Sequence, residues 1–307
     1  MKQPGLLTLV QDRGRFGAHN LGLTIGGPLD TQAYDWANRL LGNDVNASCL
    51  EVSFGGLSVE ADVDTVFVVT GAKMPCKMNG DTINQWQTYA IKKGDVLELG
   101  FTHAGLRAYL AVAGGFDISP SFGSSATVVR EKIGGIHGNK LQSGDVLPCQ
   151  PNSVRYHQKL EPAHQPEYGR QATLRVVKGY QQAAFDPMQQ RRFFNSDYQV
   201  TERSDRMGFR LEGEMIRSDM VSLLSEGICH GAIQIPADGQ PIVLLNDRQT
   251  IGGYPKIGSV IASDTARLAQ LVPGSIVRFE AISLEQAHNL HWLEKSRFER
   301  TLPVTVD

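Results

Sequence analysis

Three features of the sequence predict a mainly β protein made of barrels or sandwiches. Short β-branched runs recur between turn residues, helix-length amphipathic stretches are few, and a Pro-rich break divides the chain near its middle. The runs are VDTVFVVTGA (63–72), LRAYLAVAGG (106–115), TLRVVKG (173–179), AIQIP (232–236), PIVLLND (241–247) and SIVRFEAIS (275–283). Most are bounded by Gly, Pro, Asn or Asp, the punctuation of strands. Many strands with few intervening helices argue against an alternating βαβ fold. Asp238-Gly239, between two of the runs, suits a hairpin turn because Gly supplies the positive φ that such a turn requires.

Helices are expected over 31–41, about 264–271 and about 284–299. The first is the best specified. Asp30 sits at the N-cap position, and Ala33, Trp36, Ala37, Leu40 and Leu41 recur at the spacing of one buried stripe. Gly42 follows as the residue that ends the helix in a left-handed conformation.

Pro148, Pro151, Pro162 and Pro166 fall in a stretch, 148–171, with little apolar periodicity. The expected division is a first barrel over 1–150, a linker over 151–170, a second barrel over 171–284 and a helical tail over 285–307. AGGFDISPSFGSSATVV and IGGYPKIGSVIASDTARLAQ share a Gly-Gly-aromatic start and a Ser/Thr-rich continuation, which suggests either duplication of one unit or a chance match.

Composition narrows the function. Hydrophobic residues make up 41% and charged residues 20%, and 30 Lys plus Arg balance 32 Asp plus Glu. No net field is present to recruit nucleic acid or an anionic membrane. No apolar run reaches roughly 18 residues, and the N-terminal stretch lacks the apolar region of a signal peptide, so a cytoplasmic location is expected. Cys49, Cys76, Cys149 and Cys229 are scattered without a C-x-x-C pair and read as reduced thiols, with no metal site expected. His288 and His291 lie three apart on the tail helix, a spacing more often found on a solvated face than at a metal. A phosphate-binding Gly-x-x-x-x-Gly-Lys loop, a Gly-x-Ser-x-Gly elbow and a His-Glu-x-x-His helix are all missing from the sequence. Lys77 in PCKMNG lacks the Met that precedes a biotinylated lysine and reads as an ordinary turn residue.

Four segments carry polar residues that packing alone does not demand. TLVQDRGRFGAHNLG interleaves Gln11, Asp12, Arg13 and Arg15 with glycines that permit close backbone approach to a ligand; its bland alternative is a turn with surface ion pairs. ANRLLGNDVNASCLEVSFGG places Asn38 at the edge of the apolar stripe, as a loop clamp or a ligand contact, and Glu51 just beyond. TERSDRMGFRLEG holds Asp205, Arg206 and Arg210, alternatively an Asp–Arg-tied turn. SEGICHGAIQIPADGQPIVLLNDRQTIGGYPKIGSV surrounds three core-like strands with Glu226, Gln234, Asp247, Gln249, Thr250, Tyr254 and Lys256, a variety that favours a site over a solvated loop.

These segments, with GGPLDTQAYDWANRLLGN, AYLAVAGGFD and LAQLVPG, resemble the allophanate hydrolase subunit 2 family over about residues 5–287. That family includes the C subunit of the prokaryotic ATP-dependent 5-oxoprolinase and is also found in the carboxyltransferase region of urea carboxylase. The resemblance implies a mainly β fold of two cyclophilin-like β-barrel domains with a few short helices. It also implies a hetero-oligomer with subunits B and A that opens the lactam of 5-oxo-L-proline to glutamate using ATP with Mg2+. One departure is that the family's Gly-Ser-x-Ser-Thr reads GSSAT here, with Ala126 in place of a serine.

A lactam amide is a poor electrophile, so phosphorylation of its oxygen is the expected activation. That chemistry needs cations on phosphate charge, carboxylates to move protons and amides to orient the substrate. Arg15, Arg206 and Lys256 suit the first role, Asp12, Glu51, Glu226 and Asp247 the second, and Gln234 and Gln249 the third. Asp30, Asn38, Thr250 and Tyr254 are further substrate-contact candidates, with the lead-in to the first helix and residues 225–256 expected to line one cleft. With no nucleotide loop in the sequence, ATP is expected mainly at the interface with the B subunit. Two other readings stand beside this one. One is a carboxyltransferase half-site, with biotin supplied by another chain. The other is a non-catalytic partner of a kinase inhibitor that itself resembles the B subunit.

Overall fold

The computed structural model describes residues 1–154, 156–220 and 223–306. Position 155 of the expected linker and position 307 of the tail therefore lie outside the described residues. Strands dominate, and no helix among the described residues is long and apolar enough to cross a membrane. The chain divides into two compact units: residues 1–18, 25–168 and 301–307, and residues 19–24 and 169–300.

In the first unit two five-stranded sheets share one core. One runs in the order Gln3–Pro4, Gly55–Glu60, Val96–Phe101, Cys76–Met78 and Asp81–Ile83. The other runs Leu7–Gln11, Cys49–Ser53, Ala104–Val112, Thr65–Lys73 and Thr88–Ile91. Val10, Leu50, Leu57, Phe67, Val69, Leu97, Leu99 and Leu110 come from both sheets and are at most 3% exposed. The helix Thr31–Leu40 begins where Asp30 Oδ1 accepts from the Ala33 N–H at 3.0 Å, and Gly42 closes it at φ 66°. Its buried stripe faces the second sheet, where Thr70 Oγ1 donates to the Ala33 carbonyl at 2.7 Å.

The second unit is a closed barrel of seven strands. Their order is Gln171–Lys178, Lys256–Val260, Ala232–Gln234, Ile242–Leu244, Gly208–Gly213, Tyr198–Val200 and Ile276–Ile282. Closure comes from the parallel pairing of 171–177 with 276–282. The hairpin at Asp238-Gly239 forms with Gly239 at φ 73°.

Three expectations are corrected. The helix Pro187–Phe194 is not among those expected, although Asp186-Pro187 is a sound start signal: Asp186 Oδ1 accepts from the Gln189 N–H at 2.8 Å, and Pro occupies the first turn. Phe193 on this helix stacks on Phe279 of the barrel with centroids 4.5 Å apart. The stretch 151–168 is not a free connector. His157–Lys159 pairs with Val304–Val306, Leu160 is buried, and all these residues belong to the first unit. The Gly-Gly-aromatic echo does not mark equivalent elements, because 116–130 has only isolated bridges whereas 252–271 holds the strand Lys256–Val260 and the helix Ala262–Leu268.

Candidate functional site

In the first unit the candidate residues Asp12, Arg15, Asp30, Asn38 and Glu51 are all at most 4% exposed and hold backbone in place. Asp12 follows the strand Leu7–Gln11. Its Oδ1 accepts from Gly14 N (2.9 Å) and Ser124 Oγ (2.6 Å), and its Oδ2 from Ser125 N (2.6 Å) and Ser125 Oγ (3.1 Å). Arg15 donates from Nε to the Ser121 carbonyl (2.8 Å) and from Nη2 to the Ala126 carbonyl (3.2 Å). The GSSAT loop is thus fixed from two sides, and Ala126, fully buried against Gly26 and Gly134, fills its position without a hydroxyl.

Glu51 sits directly across from Tyr109 in the sheet, and its Oε2 accepts from the Tyr109 hydroxyl (2.7 Å) and the Leu29 N–H (2.9 Å). Arg107 Nε lies 3.7 Å from its other oxygen. The same Tyr109 hydroxyl accepts from Asp30 N at 2.8 Å, and the Asp30 carboxylate receives the Tyr168 hydroxyl at 2.9 Å. Burial first, and then the nearby carboxylates, hold the Tyr109 and Tyr168 phenols well above the ordinary tyrosine value. Asn38 clamps the loop after its helix, donating to the Ala47 carbonyl (3.0 Å) and accepting from Asn43 Nδ2 (3.0 Å). These contacts give Asn38 the loop-clamp role, and they give the carboxylates of Asp12, Asp30 and Glu51 scaffold partners on both oxygens.

The second unit gathers a different set. Glu226 lies across a short two-strand ladder from Gly252, and Lys256 lies across the barrel ladder from Gln234. Lys256 Nζ donates to Glu226 Oε1, which also accepts from Gln181 Nε2 at 2.6 Å. Gln181 is pinned in turn by the Lys256 N–H (2.8 Å) on its Oε1. The Lys256 ammonium and then the Tyr180 hydroxyl hold the Glu226 carboxyl below the usual carboxylate range, and the Glu226 contact raises the Tyr180 phenol. The Glu226 side chain remains 31% exposed, so this acid and its cation meet solvent while the amide behind them is buried.

Gln234 is 1% exposed, and its Nε2 makes no hydrogen bond among the described residues; nor does the buried Oε1 of Gln249. Gly252 lies between the two amides. A Cβ there would stand 3.2 Å from Gln234 Nε2, 3.6 Å from Gln249 Nε2 and 2.7 Å from Ile228 Cδ1. Gly252 and Gly253 read in the sequence as turn-making residues, yet neither takes a positive φ; close approach is what excludes a side chain, at Gly253 from the Leu223 carbonyl 2.7 Å away. Tyr254 is half exposed, and Thr250 contributes its backbone carbonyl to Ile228 N at 3.0 Å.

Asp247, expected to move protons, is instead gripped by Arg206. Nε and Nη2 of the guanidinium donate to its two oxygens at 2.9 and 3.0 Å in a buried fork-to-fork pair. The neighbouring Arg248 donates to the Ile228 and Leu245 carbonyls at 3.1 Å each. Burial, then Arg248, lower the His230 imidazole to about 4. Gln181 and Tyr180 were missed in the sequence, since KGYQQAAF offers no motif and they reach Glu226 only through barrel closure. Tyr109 and Tyr168 were missed likewise.

A family model described as the carboxyltransferase domain, subdomain A and B, matches residues 21–281. The chain is 38% identical over 297 residues to the C subunit of 5-oxoprolinase from Escherichia coli K12, covering 96% of this chain and 95% of that protein. It is 34% identical over 283 residues to the C subunit of 5-oxoprolinase from Haemophilus influenzae, covering 92% and 90%. The crystal structure of the K. lactis urea amidolyase matches with a TM-score of 0.91 at 26% identity, covering 98% of this chain and 20% of that one.

Proposed function

Since this chain belongs to the family of carboxyltransferase domains with subdomains A and B, we propose that it is the C subunit of an ATP-dependent 5-oxoprolinase acting with subunits B and A. The reaction converts 5-oxo-L-proline, ATP and two waters to L-glutamate, ADP and phosphate. The observation that carries this reading is one of length. The chain spans 95% of a free-standing 5-oxoprolinase subunit but only 20% of the urea amidolyase.

Glu226 and Lys256 supply the chemistry that the second unit offers. A carboxylate held ionised by an ammonium can take a proton from an attacking water, and the ammonium can steady negative charge on the opening amide. The cations expected to meet phosphate are already engaged: Arg15 with loop carbonyls, Arg206 with Asp247 and Lys256 with Glu226. Among the described residues no group of three His, Cys, Asp or Glu side chains gathers to hold a metal. These residues do not fit a Mg2+-ATP cradle, so ATP and Mg2+ are assigned to the partner side of the complex.

The test is glutamate release from 5-oxoproline with ATP and Mg2+. The chain combined with subunits B and A is expected to turn over, and the chain alone is expected to be inactive. Comparable turnover by the isolated chain would remove the requirement for partners. The likeness to urea amidolyase supports a second reading, a carboxyltransferase half-site served by biotin on another chain. A streptavidin blot of the assembled complex separates the two, since only the second requires a biotinylated partner.

A further inference from the structure

Two amide groups near Glu226 and Lys256 are left with complementary, unused valences. Gln234 Nε2 is a buried donor without an acceptor, and Gln249 Oε1 is a buried acceptor without a donor. Buried polar groups are nearly always paired, and leaving one unpaired costs free energy, so each such atom asks for an explanation. Gln11 Oε1 and Thr127 Oγ1 in the first unit are also unpaired, but both residues are sealed at 0% exposure. Gln249 and Gly252, by contrast, are partly exposed, so the space beside Gly252 reaches solvent.

Gly252 makes that space. Its φ is not positive, so its backbone conformation does not call for glycine. A Cβ would crowd Ile228 Cδ1 at 2.7 Å and Gln234 Nε2 at 3.2 Å, occupying the volume that the two amides border.

We propose that Gln234 and Gln249 read the cis-amide edge of the substrate, Gln234 donating to the carbonyl oxygen and Gln249 accepting from the ring N–H. This rests on the reading of the chain as the lactam-opening subunit. A five-membered lactam ring fixes its amide cis, so the C=O and N–H lie side by side on one edge. An ordinary trans peptide presents them on opposite edges. A neighbouring donor and acceptor therefore select cyclic amides over peptides by geometry, and over lactones by the N–H. Strand pairing supports the placement: Gly252 lies opposite Glu226, and Gln234 lies opposite Lys256. An amide edge held by the glutamines has its carbon beside the carboxylate and the ammonium.

The test is binding of 5-oxo-L-proline and of its lactone analogue, in which ring oxygen replaces N–H, to the assembled complex by calorimetry. Gln249→Met is expected to weaken the lactam about 10-fold while leaving the lactone unchanged, because only the lactam loses a hydrogen bond. Gln234→Met weakens both by a similar factor, and Gly252→Ala abolishes both, with melting temperature checked for each variant. Equal weakening of lactam and lactone by Gln249→Met, no weakening at all, or no lactam binding by the unaltered complex overturns the proposal. If the complex releases glutamate but both glutamine variants bind as the parent does, this inference falls and the 5-oxoprolinase reading stands. If no glutamate appears but lactam binding shows the expected glutamine pattern, the recognition stands and the 5-oxoprolinase reading falls.

Discussion

The buried carboxylates of the first unit and the cluster around Glu226 in the second use the same residue types for opposite ends. Asp12, Asp30 and Glu51 are at most 4% exposed, and each meets donors from loops far away in the chain on both of its oxygens. Glu226 keeps 31% of its side chain in solvent, and behind it Gln234 and Gln249 keep polar atoms in reserve. A satisfied carboxylate is a structural joint. An ion pair at an opening, beside unpaired amides, has capacity left for a ligand. Polarity and burial together do not mark a site; the unused hydrogen bond does.

The Arg206–Asp247 pair offers the strongest way to break this comparison, because it lies in the second unit yet has the character of the first. Asp247→Ala removes the acceptor of a buried fork-to-fork pair, and a loss of about 3–5 kcal/mol is expected. Thermal melts should show it, with turnover per folded complex little changed. A rate loss at unaltered melting temperature would return Asp247 to the proton-moving role that the sequence suggested. Asp12→Ala, in the first unit, leaves Gly14 N and Ser125 N without their acceptor, for an expected loss of about 2–4 kcal/mol by urea denaturation.

The mirror experiment is Glu226→Gln. Turnover is expected to fall by about 10²-fold, the usual scale for a general base, with a melting temperature within a few degrees of the parent's because the side chain is partly exposed. A variant that melts as far below the parent as Asp12→Ala would make Glu226 another joint. The pH–rate profile sharpens the point. Lys256 and Tyr180 depress the Glu226 carboxyl, so the base stays ionised, and activity persists, until pH falls below the ordinary carboxylate range. Lys256→Met removes the main cause, and the acid limb is expected to move to higher pH.

The smallest expected effect is at His230. Its folded value of about 4 lies below the ordinary histidine value of 6.5, so between those limits the unfolded chain binds the extra proton and stability falls as pH drops. His230→Gln removes that linkage, and the melting-temperature loss from pH 6.5 to 4 should shrink by about 2–4 °C.

Much of the scaffold was legible in the residues. The helix after Asp30, the Asp238-Gly239 hairpin and the strands near 65–73, 104–112, 171–178 and 276–282 follow from local chemistry, namely caps, positive-φ glycine and β-branched runs. The helix at Pro187–Phe194 had its signal in Asp186-Pro187 but too short an apolar stripe to stand out. The polar residues of the candidate site were identifiable as a pool, since loops so varied rarely serve solvation alone.

What each of those residues does was decided by tertiary structure. A side chain's hydrogen-bond capacity is written in the sequence, but the partner that uses it is not. Asp12 finds its donors at Ser124 and Ser125, Asp247 finds Arg206 41 residues earlier, and Lys256 finds Glu226 30 residues earlier. Only closure of the sheets brings such groups within hydrogen-bond distance, and only closure shows which amides remain unpaired. The sequence by itself determined a mainly β chain and its supply of acids, cations and amides, because strand propensity and turn chemistry are local. The tertiary structure alone decided which of them are joints and which face a ligand, because pairing and burial are properties of the whole barrel.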